Sequence, residues 1–87
     1  MAFKLVLTDK AVKDLDYLNR EVSKKLLKKL AWIMEQRDPL SFGVKLTDPS
    51  VGDIRFRIGD YRAIGIVNYR SKKIVIVAIG HRREIYR

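Results

Sequence analysis

The apolar residues of this chain pass from a helical to a strand period at Ile54, and that change sets the fold class. Upstream, Ala11, Leu15 and Leu18 recur at i, i+4 and i+7 with Val12 widening the stripe, and after a phase reset near Asn19 to Glu21 a second stripe runs through Val22, Leu26, Leu27, Leu30, Ile33 and Met34. Downstream, Ile54, Phe56 and Ile58 alternate with Arg55 and Arg57, which is the period of a strand. Thr8 is a natural N-cap with Asp9 in the first turn, and Asp38 before Pro39 disfavours helix beyond Arg37. Phe3 to Leu7 reads as a short first strand. Leu40 to Asp53, with Pro39 just before it and Gly43, Pro49, Ser50 and Gly52 within it, reads as a crossing loop. The expected architecture is α+β: an N-terminal strand, then a two-helix hairpin packed on a mainly antiparallel sheet that ends in a C-terminal three-stranded meander.

At 87 residues the chain is expected to form one domain, 1–87, with a single modest core. It has no cysteine, hence no disulfide framework or thiolate zinc site, and its single histidine argues against a histidine metal cluster. No metal or cofactor is expected. MAFKLVLTDK carries too short an apolar run for a secretory signal, and Ile74 to Ile79 is strand-length, so a cytoplasmic protein is expected. From residue 54 onward nine basic residues stand against two acidic ones, which places +7 of the total +9 in the sheet-forming part. Such a charge favours nucleic acid, an anionic membrane or an acidic protein as partner.

Gly59-Asp60 is a two-residue turn of the kind that tight hairpins prefer. It sets residue 58 opposite 61 and 57 opposite 62, so Arg57 and Arg62 share a face with Arg55 further along it. Like charges directly opposed cost stability, which makes the cluster a candidate site for an anion. Guanidinium forks bind phosphate oxygens bidentately. The third strand, Ile74 to Ile79, is apolar on both faces and delivers Gly80, His81, Arg82 and Arg83 to the end of the sheet. A lone imidazole there is a candidate for proton transfer. Tyr17, Tyr61 and Tyr69 read as packing or surface residues. KKLLKK at Lys24 to Lys29 reads as a solvated helix face with phosphate contact as its second reading, and Trp32 as partly buried or covered by a partner.

Three segments, Lys45-Leu46, RFRIGDYRAIG from Arg55 to Gly65 and AIGHRREIYR from Ala78 to Arg87, resemble the RelE/ParE superfamily of bacterial and archaeal toxins along essentially the whole chain. The resemblance implies the toxin of a type II toxin–antitoxin system, held in a hetero-oligomer by an acidic, RelB-like antitoxin. In the RelE-like branch it further implies a metal-independent endoribonuclease that cleaves mRNA in the ribosomal A site and stops translation. Carried over by position, Arg55 matches a basic strand residue, Arg62 the arginine after the turn, Arg82 the arginine ending the last strand, and Tyr86 the C-terminal tyrosine. Lys45, Arg57 and Arg83 join Arg55 as expected RNA contacts. Asp53 stands where the best-known member has a second strand lysine.

Cleavage of this kind needs a base for the 2′-hydroxyl, cations for the dianionic phosphorane and an acid for the departing 5′ oxygen. Arg55, Arg62 and Arg82 suit the charge role. Proton transfer falls to His81 or Tyr86, with acid and base unassigned between them. The alternative implied by the same resemblance is a ParE-like toxin that binds and poisons DNA gyrase without nuclease activity; a third reading is an RNA-binding module without activity.

Overall fold

In a computed structural model of the chain, residues 3–85 are described. Strand β1 (Lys4–Leu7) leads into helices α1 (Asp9–Tyr17) and α2 (Arg20–Met34), a short 3-10 turn at Pro39–Phe42, and strands β2 (Gly43–Lys45), β3 (Ile54–Ile58), β4 (Tyr61–Asn68) and β5 (Lys73–His81). The five strands lie in the order β1-β5-β4-β3-β2, with β1 parallel to β5 and every other pair antiparallel. The expected helices, meander and N-terminal strand are all present. The expected crossing loop is not wholly irregular: it holds β2, a strand of three residues that adds a fifth member to the sheet.

The helix ends follow their caps. Thr8 Oγ1 accepts the N–H of Ala11, and Asn19 Oδ1 accepts that of Glu21, which is why the apolar phase resets there. Ser23 Oγ donates to the Leu15 carbonyl at 2.6 Å and ties the two helices together. Both stripes face one side of the sheet, where Ala11, Leu15, Leu26, Leu30, Ile33 and Met34 pack on Ile54, Phe56, Ala63, Ile74, Ile76 and Ile79. The other side carries Arg55, Arg57 and Arg62.

Two irregularities tune this sheet. Between β4 and β5 the register passes from Ile64↔Ala78 to Gly65↔Ile76, so Val77 is an extra residue on β5. This bulge lets Ile74, Ile76 and Ile79 all reach the core despite their uneven spacing. On the opposite side, the loop before β3 folds over the sheet at Gly52. With φ +156° it adopts a backbone that L-residues avoid, and a Cβ there would lie 2.6 Å from Ile64 Cγ2. Ile64 is consequently 2% exposed, although its side chain lies on the arginine side, and Ile66, at 45%, and Val44, which pairs with Arg55 and is 54% exposed, remain open for a partner there.

Where a strand runs past its neighbour, an aspartate takes the freed backbone N–H. β1 stops at Leu7 opposite Ile76, and beyond it Asp14 Oδ2 on α1 accepts the Ile79 N–H at 3.0 Å. β3 begins at Ile54 opposite Gly65, and beyond it Asp53 Oδ2 accepts the Val67 N–H at 2.9 Å. Asp14→Ala is expected to leave the Ile79 N–H unpaired and to cost about 1–3 kcal/mol. Lys10→Ala, which removes only an exposed i,i+4 ion pair to the same carboxylate, should cost less than about 0.5 kcal/mol in the same urea titration.

Candidate functional site

The hairpin register comes out as the turn dictates. Gly59 has φ +61° and Asp60 does not have positive φ, a type II′ turn, and the pairing is Ile58↔Tyr61, Arg57↔Arg62 and Arg55↔Ile64. The Arg62 Nη1 donates to the carbonyls of Gly59 at 3.0 Å and Tyr61 at 2.9 Å, so its guanidinium is folded back on the turn. Partial desolvation, together with the charges of Arg57, Arg55 and Arg82, holds that guanidinium below the usual arginine pKa, against a smaller opposing effect of Asp60. A cation whose pKa falls on folding has its charged form disfavoured in the native state. At every working pH the arginine is charged, so desolvation first, and the neighbouring guanidinium groups second, act against that form throughout. An anion on this face relieves the second.

Arg82 joins the cluster from β5. Its backbone N–H donates to the Asp60 carbonyl at 2.8 Å, and its Nη1 lies 4.0 Å from Asp60 Oδ1. The chain then turns: the N–H groups of Glu84 and Ile85 both donate to the His81 carbonyl, at 2.8 and 3.0 Å. Asp60 thus tethers the last strand's end to the hairpin tip, a role that the sequence reading missed because it depends on where β5 stops relative to the turn.

His81 lies on the other side of the sheet from the arginines. It pairs with Tyr61, and these two share the helix-facing side with Ala63 and Ile79, whereas Arg62 pairs with Gly80 on the arginine side. The Tyr61 and His81 rings meet edge to face at 5.5 Å. Nδ1 of His81 accepts the Arg83 N–H at 3.2 Å, which leaves the proton of the neutral ring on Nε2. Behind the imidazole lies a cavity of about 210 Å³ whose polar lining comes from Lys10, Asp14, Tyr17 and Glu84. His81 is therefore adjacent to Arg82 in sequence but is not brought together with Arg55, Arg57 and Arg62. Tyr86 falls outside the described residues.

Lys45 is also separated from the cluster. It pairs with Ile54 on the helix-facing side and borders a groove of about 510 Å³ with Asp38, Asp53 and Tyr69. Arg83 is exposed in the final turn, held through its backbone by His81. Of the nearby carboxylates, Asp53 is engaged elsewhere, by the Val67 N–H, and Asp60 lies within the cluster at 4.0 Å from Arg82 Nη1. Among the described residues no cluster of three or more histidine, cysteine or acidic side chains is arranged to hold a metal, and no helix is long and apolar enough to cross a membrane.

Residues 5–86 match the family model described as the ParE toxin of the type II toxin–antitoxin system parDE. No curated protein sequence matches the chain significantly. Among solved structures, the toxin–antitoxin complex RelBE from Mycobacterium tuberculosis aligns with TM-score 0.79 and 24% identity over 94% of this chain and 100% of the other. The archaeal RelE–RelB complex from Pyrococcus horikoshii OT3 gives 0.68 and 24% over 97% and 99%, and the isolated E. coli RelE toxin 0.71 and 21% over 92% and 84%. At these identities the structures show the shared fold, and the family model, spanning nearly the whole chain, shows the kinship: this protein belongs to the ParE toxin family within the RelE/ParE superfamily and is the toxin of a type II toxin–antitoxin system.

Proposed function

We propose that this toxin is a metal-independent, ribosome-dependent endoribonuclease that cleaves mRNA in the ribosomal A site. The observation that supports this reading best is the arginine face. Arg55, Arg57 and Arg62 lie together on the open side of the sheet, and Arg82 is held beside the same hairpin tip. Charges crowded at a cost to stability suit a ligand with several phosphates. Arg62 and Arg82 would stabilise the phosphorane, while Arg55 and Arg57 hold flanking phosphates. Freeing Arg62 from the Gly59 and Tyr61 carbonyls would let its fork meet phosphate.

The proton chemistry is assigned to Tyr86, the residue that follows Ile85 in the sequence. His81, with Nδ1 occupied by the Arg83 N–H and its ring on the far side of the sheet, is assigned to holding the turn that carries Arg82. A site without a paired acid and base gains from a ribosome that orients the messenger for in-line attack. An acidic RelB-like antitoxin would cover the arginine face and Ile66; the M. tuberculosis and P. horikoshii structures are themselves toxin–antitoxin complexes. A second reading, a gyrase poison without nuclease activity, draws support from the separation of His81 from the arginines and from the family description naming parDE.

In a translating extract, the purified protein is expected to cut ribosome-bound messenger, mapped by primer extension, and to leave the same naked RNA intact. Intact messenger together with loss of gyrase supercoiling activity would establish the second reading instead.

Arg82→Gln should lower single-turnover cleavage about 10² with ribosome binding nearly unchanged, as for loss of one transition-state donor. His81→Asn, whose amide oxygen can still accept the Arg83 N–H, should stay within about fivefold of the parent rate. A loss of about 10² or more in that variant would return the imidazole to proton transfer.

A further inference from the structure

A second cationic surface lies on the helical side of the molecule, across the sheet from the arginines. Lys25, Lys28, Lys29 and Trp32 recur at i, i+3, i+4 and i+7 of α2 and line a shallow depression of about 330 Å³. Trp32 is 43% exposed although it is the chain's only tryptophan, and Phe42, 44% exposed, meets it edge to face with centroids 5.2 Å apart. Lys29 Nζ sits 4.2 Å from the Trp32 ring centroid. Glu21, at the far N-terminal end, is the only acidic residue of α2, and among the described residues no α2 lysine forms an ion pair with a carboxylate.

We infer that this Lys25–Lys28–Lys29–Trp32–Phe42 surface binds an unpaired stretch of nucleic acid, with a base stacked on the aromatic pair and the lysines on flanking phosphates. The Phe42 contact holds the indole in place without burying it, which gives a stacking platform fixed before the ligand arrives. An exposed cation–π contact is weak enough for a base to displace Lys29 from the ring, leaving its ammonium free for the adjoining phosphate. Stacking beside a row of lysines is the usual composition of sites for single strands, because every base offers a π face and every linkage a charge. An acidic amphipathic helix is the poorer match, since it needs a run of apolar anchors over two turns and here the apolar area is two rings. The inference does not require nuclease activity, and it concerns the side of the molecule away from the arginine face.

Because Trp32 is the sole tryptophan, its fluorescence reports this surface alone. A short single-stranded oligoribonucleotide of mixed sequence, added to the full chain at low salt, should quench it, and the same sequence as a duplex should quench it much less. The single-stranded DNA version, run in parallel, identifies the source: tighter RNA points to ribosomal or messenger RNA, tighter DNA to strands opened on a DNA-bound target. Lys25→Gln with Lys28→Gln should flatten the plot of log affinity against log salt by about 1.4, two phosphate contacts at about 0.7 each. Phe42→Ala should weaken quenching affinity about tenfold as the platform loosens. The inference is overturned if a labelled oligonucleotide binds without quenching Trp32, or if polyglutamate quenches it as well as the oligonucleotide does.

Discussion

Two opposed arginines at the tip of a hairpin organise this molecule. The Gly59-Asp60 turn admits one register, and that register sets Arg57 against Arg62. Nothing in the core requires the pair. The inward side of the same strands, Phe56 and Ala63, packs fully without help from the other face. The hairpin therefore carries a local destabilisation that the core offsets. Asp60 adds Arg82 to the group through its own carbonyl while contributing one distant carboxylate, at 4.0 Å. The balance on this face stays strongly positive, as the proposed phosphate site requires.

The acidic residues explain why the site is all charge and little acid–base chemistry. Asp14 and Asp53 play one structural part at two places, each accepting a backbone N–H where a strand outruns its neighbour. The Ile79 N–H is half-buried, where loss of its partner is costly, whereas the Val67 N–H is exposed and its carboxylate competes with water. Asp53 stands where the superfamily resemblance places a lysine, and its carboxylate serves the end of β3 and β4 rather than the arginine face. With those carboxylates engaged and His81 on the helix side, charge stabilisation is the chemistry left to the described part of the open face.

The hairpin, the helices and the cap of the first helix were legible in the sequence because each rests on local chemistry: period, turn residues and Thr8; Asn19 was legible only as the place where the phase resets, and the structure shows it to be the second cap. β2 was not, since three residues beginning with Gly43 carry no period of their own and are a strand only through pairing with β3. The Val77 bulge was hidden for a related reason, because β5 is apolar on both faces and its alternation has no visible phase. That hidden phase also concealed the placement of His81. Reading GHRR as a unit set the histidine beside Arg82, whereas strand alternation counted forward from the buried Ile79 turns it toward the helices. Exposure of Trp32 was foreseen as partial burial, and its Phe42 partner, ten residues on, was not, because the contact arises from the chain reversing after α2.

The central claim is that arginine crowding on this face is maintained against stability, and urea unfolding of Arg57→Gln measures it directly. The account predicts that the variant is more stable than the parent by about 0.5 kcal/mol at low salt, and that the gain shrinks at high salt as the remaining charges are screened. A variant less stable than the parent, by the same amount at both salt concentrations, would show that Arg57 supports the fold and would contradict the account.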